Sequence, residues 1–93
     1  MEIEFDPAKS ESNLRKHGIS LADAELMNIN EATVEPDTRF DYGEQRFRAW
    51  GLIAGVLHIL AFTIRGSKIR AISLRKSNAM ENRRYEKNQE KSE

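Results

Sequence analysis

No cysteine occurs among the 93 residues, which excludes a disulfide framework and any thiolate-bound metal. Long apolar runs are missing as well. No stretch approaches the roughly 20 apolar residues that span a bilayer, and Met1-Glu2-Ile3-Glu4 lacks the basic and apolar regions of a signal peptide. A cytoplasmic chain without membrane attachment is the expectation. Neither a Walker loop nor a Gly-rich dinucleotide turn is present, so no cofactor is expected. No H-x-x-x-H or E-x-x-H spacing occurs, and Glu31, Glu35, Asp37 and Asp41 are scattered through loop-like sequence, so no metal site is expected either. Apolar residues make up only 39% of the chain and charged residues 32%. A chain of this length buries roughly 60–70% of its unfolded surface, enough for one core and a single domain, placed at residues 1–88 with a flexible polar tail at 89–93.

Net charge is zero, but the charges are segregated. Residues 1–44 hold eleven acids and four bases, a balance of −7; residues 45–88 hold ten bases and two acids, a balance of +8; the last five residues add −1. Between Gln45 and Lys76 stand Arg46, Arg48, Arg65, Lys68, Arg70, Arg75 and Lys76 with no carboxylate among them. Binding responds to local potential rather than to a whole-chain pI, so this segment keeps an anionic partner in view. A solvated face with charged strand edges is the plain alternative. Against it, ordinary solvated faces mix both signs, and the planar fork of arginine suits bidentate phosphate contacts.

Local signals divide the chain into an α+β pattern. Ile3–Phe5 reads as a short strand. Asp6-Pro7 starts a helix that Gly18 ends, and Ser20 with Asp23 starts a second, burying Leu21, Ala24 and Met27. Asn28–Asp37 reads as loop around Thr33-Val34. Arg46–Ile53, Val56–Arg65 and Lys68–Arg75 form a meander with turns at Ala54-Gly55 and Gly66-Ser67. Two-residue turns would place Phe47, Ile53, Val56, Leu60, Phe62, Ile64 and Ile69 under the two N-terminal helices. Arg46, Arg48, Thr63, Arg65, Lys68 and Arg70 would gather at one end of the opposite face. Trp50, Leu52, Leu57, Ile59, Ile72 and Leu74 would fill its other end, beneath a third helix at Ser77–Lys87. Strict alternation turns Arg75 toward the helices, so its place among the cations needs a bulge or a strand-end position.

Phe5-Asp6-Pro7-Ala8-Lys9, Asn13 and Lys16-His17-Gly18-Ile19-Ser20 resemble the opening signature of the BrnT toxins. Further blocks follow in order: Gly43-Glu44 with Arg46, Gly51, Thr63 with Arg65, Arg70-Ala71-Ile72-Ser73-Leu74-Arg75-Lys76, and Glu81 with Tyr85. The chain departs from the family at Met27-Asn28, where an aromatic residue is usual. The resemblance implies a RelE-like fold: an antiparallel sheet of about four strands, two N-terminal helices on one face and a C-terminal helix. It also implies a ribonuclease that halts translation. The implied partner is a BrnA-like antitoxin with a ribbon-helix-helix segment, which represses its operon together with the toxin, in a two-plus-two complex on operator DNA.

RNA can be cut without metal because its 2′-OH can attack the adjacent phosphate, provided the protein orients the backbone, stabilises the phosphorane and moves two protons. On this reading Arg65, Arg70, Arg75 and Arg46 bind and stabilise the phosphate, while Arg48, Lys68, Lys76 and Lys16 hold the RNA. Glu44 stands as a base or as an ion-pair partner of Arg46, and His17 as a base or a helix-end cation. Tyr85 stands as a proton donor, a base-stacking ring or an anchor of the last helix. His58, within an apolar strand, reads as a hydrogen-bonded core residue. The rival function is a non-catalytic module that uses the cationic face only to dock nucleic acid or a partner.

Overall fold

The computed structural model describes residues 2–91. Strand β1 (Glu2–Glu4) leads into helix α1 (Pro7–His17). Asp6 Oδ1 accepts the Ala8 N–H at 2.9 Å, and Gly18 stops the helix in the left-handed region (φ 73°), its N–H donating to Leu14 O at 2.9 Å. The residues α1 buries are polar, Ser10 and Asn13. Ser10 Oγ accepts the Leu21 N–H at 3.0 Å. Asn13 Nδ2 donates to Ile19 O at 2.8 Å and to Leu74 O at 2.7 Å, while its Oδ1 accepts the Leu74 N–H at 3.1 Å. One side-chain amide thus satisfies a strand-edge N–H and C=O that would otherwise be buried without partners.

The expected second helix is a 3₁₀ helix, Leu21–Leu26, and Ser20 gives it no side-chain cap. The reason lies in the spacing of its apolar residues. Leu21, Ala24 and Met27, all buried, recur every three residues, and side chains at i and i+3 eclipse one another at three residues per turn. Gly51 lets this segment approach the sheet, for a Cβ there would stand 2.8 Å from Met27 Cγ and 3.2 Å from Ala32 Cβ.

The sheet has five strands rather than four, and it is mixed. Besides β1 it comprises β2 (Thr33–Asp37), β3 (Arg46–Ile53), β4 (Val56–Arg65) and β5 (Lys68–Lys76), in the order β1-β5-β4-β3-β2. β1 runs parallel to β5, and the other pairs are antiparallel. β2 replaces the second half of the expected loop. Its acids and Pro36 disfavour a strand, but β2 lies at the edge of the sheet, where proline is tolerated, and β3 supplies its partner. Both hairpins turn as expected, with Ile53 opposite Val56 and Arg65 opposite Lys68.

A bulge changes the register of β5. Ala61 faces Ser73 but Phe62 faces Ala71, leaving Ile72 as the extra residue. Ile69, Ala71 and Leu74 therefore all enter the core under α1 and the 3₁₀ helix, with Leu21, Ala24, Met27, Ala49, Ile53, Leu60 and Phe62. Leu74 was expected beneath the last helix instead. Val56 and Ile64, expected in the floor of this core, are exposed. His58 is buried, its Nδ1 donating to Val56 O at 2.7 Å.

The opposite face carries a smaller cluster of Trp50, Leu57 and Ile59, on which Tyr85 of helix α2 (Ala79–Lys91) packs. A reciprocal cap opens α2: Asn78 Oδ1 accepts the Glu81 N–H at 2.8 Å, and Glu81 Oε1 accepts the Asn78 N–H at 2.9 Å. None of its described side chains is fully buried. The helix continues past Lys87, its expected end, to Lys91; Ser92 and Glu93 of the expected tail lie outside the described residues.

Candidate active site

Strand pairing sets Arg48 of β3 across from Ala61, Thr63 across from Arg70, Arg65 across from Lys68, and Ile59 across from Arg75. The bulge at Ile72 resolves the position of Arg75. By shifting the alternation once, it returns Arg75 to the face of Trp50, Ile59 and Arg70. Arg46, Arg48, Arg65, Lys68, Arg70 and Arg75 thus share one face of the sheet.

That face is not purely cationic. The acids absent from Gln45–Lys76 arrive from elsewhere in the chain: Glu2 and Glu4 on β1, Glu35 on β2, Glu44 before β3, and Glu81 on α2. Every one of the six cations has a carboxylate within 4 Å, and the bonds fall into two classes. Toward α2 they are short. Arg48 reaches Glu35 at 2.7 Å, with Trp50 Nε1 donating to the same oxygen at 3.3 Å. Arg75 grips Glu81 with two bonds of 2.8 and 2.9 Å; these hold the Glu81 carboxyl down at about 2 and raise the Arg75 guanidinium. Arg48 Nε is buried without an acceptor among the described residues.

Toward the Gly66 turn the bonds are long. Arg65 stands 3.8 Å from Glu44 and is 57% exposed, Lys68 stands 3.9 Å from Glu2, and Arg70 stands 3.4 Å from Glu4. Glu44 also accepts from Arg46 Nε at 3.2 Å, so one carboxylate gathers two guanidinium groups. The exposed pairs of Arg65 and Lys68 contribute only about 0–1 kcal/mol, so an incoming anion can displace those carboxylates at little cost, with half-buried Arg46 and Arg70 beside them. The strand-end group of Arg46, Arg65, Lys68 and Arg70 is available for a phosphate, whereas Arg48 and Arg75 are committed to structural pairs. Thr63 is no part of the open group, being buried with its hydroxyl donating to Gln45 O at 2.7 Å.

The remaining expected residues lie apart from this group. His17 and Lys16 are exposed in the last turn of α1, with no bond to the cations. Tyr85 packs on Trp50, Leu57 and Ile59, the position of a helix anchor. Lys76 pairs across from His58, at the opposite end of β5 from Lys68.

The segment Asp37–Glu44 reads in the sequence as a loop turning at Tyr42-Gly43, and the part that follows β2 is a loop, but its internal lock was not expected. The buried Asp37 carboxylate takes Arg39 Nε and Nη2 at 2.9 Å each, the Arg39 N–H at 3.3 Å and Tyr42 Oη at 3.1 Å. The Arg39 bonds hold Asp37 far below the ordinary carboxylate range and raise Arg39 in turn. Arg46 then stacks its guanidinium on the Tyr42 ring, 4.1 Å from the centroid. The readable trace of this lock was the Asp-x-Arg spacing just after Pro36. The loop and the strand ends enclose an open cleft of about 400 Å³, bordered by Asp37, Phe40, Tyr42, Glu44 and Arg46 among others.

Comparison with curated proteins gives no significant match. A family model described as the ribonuclease toxin BrnT of type II toxin–antitoxin systems matches residues 5–81. Those bounds run from the residue after β1 to the carboxylate that grips Arg75, and they take in every cation of the face together with Glu44 and the Asp37 loop. The chain belongs to the BrnT family of ribonuclease toxins, whose members act on RNA and are paired with an antitoxin.

Proposed function

We propose that the chain is a metal-independent endoribonuclease on a RelE-like scaffold, acting in the cytoplasm to stop translation. The observation that carries this reading is the convergence of Arg46 and Arg65 on Glu44 at an open strand end, with Arg70 and Lys68 beside them. A scissile phosphate bound there replaces the weak Glu44–Arg65 contact and gains two guanidinium groups, whose bonds strengthen as negative charge develops on the phosphorane. The 2′-oxygen attacks phosphorus and the bond from phosphorus to the 5′-oxygen breaks. The products are a 2′,3′-cyclic phosphate and a 5′-hydroxyl. On this reading Glu44, released from Arg65, takes the 2′-OH proton, and solvent returns a proton to the leaving oxygen.

The assay is incubation of the purified chain with defined RNA in excess EDTA, followed by end-group analysis. Fragments ending in 2′,3′-cyclic phosphate are expected. RNA bound but left intact would favour the docking-module reading, and loss of cleavage on chelation would remove the metal-independent mechanism. For inhibition we propose a BrnA-like antitoxin that covers the strand-end group and, through a ribbon-helix-helix dimer, joins two toxins in a two-plus-two complex on operator DNA. Light scattering of the co-purified pair tests the stoichiometry; a one-to-one mass with operator binding intact would contradict it.

A further inference from the structure

Phe40 is 70% exposed, the most exposed large apolar side chain among the described residues. A stray surface apolar residue needs no explanation by itself, but this one differs in two respects. First, its loop is fixed. The neighbouring Arg39 is fastened to the buried Asp37 by three bonds, Tyr42 is tied to the same carboxylate, and the Gly43 N–H donates to Asp41 Oδ1 at 3.0 Å. Second, the ring continues a chain of stacked groups. Phe40 meets Tyr42 edge to face at 5.8 Å, Arg46 lies on the Tyr42 ring, and Glu44 joins Arg46 to Arg65. Phe40, Glu44 and Arg46 border the same open cleft.

We infer that Phe40 is a stacking platform for an unpaired base of the RNA whose phosphate lies at Arg46 and Arg65. The inference rests on the ribonuclease function proposed above. Arg39, the cation between β2 and β3, is taken by Asp37, and the phosphate is held by Arg46 and Arg65 at the strand ends. What the ring adds is therefore a π-face, which accepts any base and requires single-stranded substrate. A ring held on a rigid loop has little freedom left to lose on stacking, which favours binding. Tyr42, with one face covered by Arg46, acts as a backing group that fixes the angle of Phe40.

The test uses the full chain and a fully 2′-O-methylated single-stranded oligonucleotide, which this chemistry cannot cut. Phe40→Ala should weaken binding by about 5- to 150-fold, the range seen when a base-stacking aromatic is removed, with the melting temperature unchanged. Phe40→Trp should restore binding and have its fluorescence quenched by the oligonucleotide but not by an abasic strand of equal length. Phe40→Leu, which is apolar without a π-face, should bind as Phe40→Ala does. Equal binding by the parent and Phe40→Ala overturns the platform and leaves the ribonuclease reading standing. A parent chain that neither binds the single strand nor cuts RNA sinks the ribonuclease reading and the platform with it. Loss of antitoxin binding alone in Phe40→Ala, with oligonucleotide binding intact, also overturns it by giving the ring to the protein partner.

Discussion

Glu81 offers a graded test of how α2 is held. It contributes twice: a two-pronged pair with Arg75 and a cap on the Asn78 N–H. The other contacts of the helix are peripheral: Tyr85 packs half-buried on the Trp50 cluster, Ser77 bonds Asn82, and Gln89 donates to Thr33 at 3.3 Å. Glu81→Gln keeps an oxygen for the Asn78 N–H but loses the charge. For a pair whose arginine is about one-third exposed, that loss is worth about 1 kcal/mol, or about fivefold in the population of the detached helix. Glu81→Ala also removes the side-chain cap, worth about 1 kcal/mol more, and should raise that population about 30-fold in all. When opening is fast, proteolysis follows the open population, so trypsin cleavage after Arg83 and Arg84 should accelerate in the order parent, Gln, Ala by these factors. The core under α1 is on the other face, so the main thermal transition should move little. Identical cleavage rates in all three proteins, or a main transition that falls in step with them, would refute this account of α2.

Three further outcomes follow from the same geometry. Arg65→Ala should reduce RNA cleavage by about 10²–10³-fold with the melting temperature unchanged, and Arg65→Lys should be impaired because a point charge does not reproduce the fork; kinetics on a defined RNA check both. Asn13→Ala leaves the buried Leu74 N–H and C=O without their side-chain partner and should cost about 2–6 kcal/mol in urea unfolding, since each unsatisfied group costs about 1–3 kcal/mol. Glu81 has its carboxyl lowered in the folded chain, so its contribution is complete above the ordinary value of 4.5 and is lost as pH falls toward about 2; hydrogen-exchange protection factors in α2, corrected for the intrinsic rate at each pH, should fall across that window, and Glu81→Gln should abolish the dependence.

Much of the architecture was legible where short-range signals decide it. Asp6, Pro7 and Gly18 bound α1, and Ala54-Gly55 and Gly66-Ser67 turn the hairpins. What was not legible came from partners distant in sequence. Nothing near Thr33–Asp37 announces a strand, because β2 is defined by pairing with β3. The bulge at Ile72 carries no glycine or proline to mark it, yet it decides the faces of Leu74 and Arg75. Of the expected strand-end set, Arg46, Arg65, Lys68 and Arg70 do gather, while Thr63 is buried and Arg48 is drawn to Glu35, and the charge is not unopposed. Glu4 meets Arg70 across 66 residues of chain and Glu35 meets Arg48 across 13, so no local window could show the neutralisation. The division into weakly and tightly held cations is likewise a matter of distances, and it now separates Arg65 from Arg75.

The parallel pairing of β1 with β5 also sets an order of events during synthesis. β1 leaves the ribosome early, but its partner is made only when translation has passed Arg70, and Asn13 waits 61 residues for Leu74. Closing a loop of that length costs entropy before any contact compensates for it. Helix α1 can form on the nascent chain from local signals alone, whereas the sheet edge that carries Lys68 and Arg70 beside Glu2 and Glu4 cannot. A chain still being translated through β4 therefore has no assembled strand-end cluster, which closes only once β5 has cleared the exit tunnel.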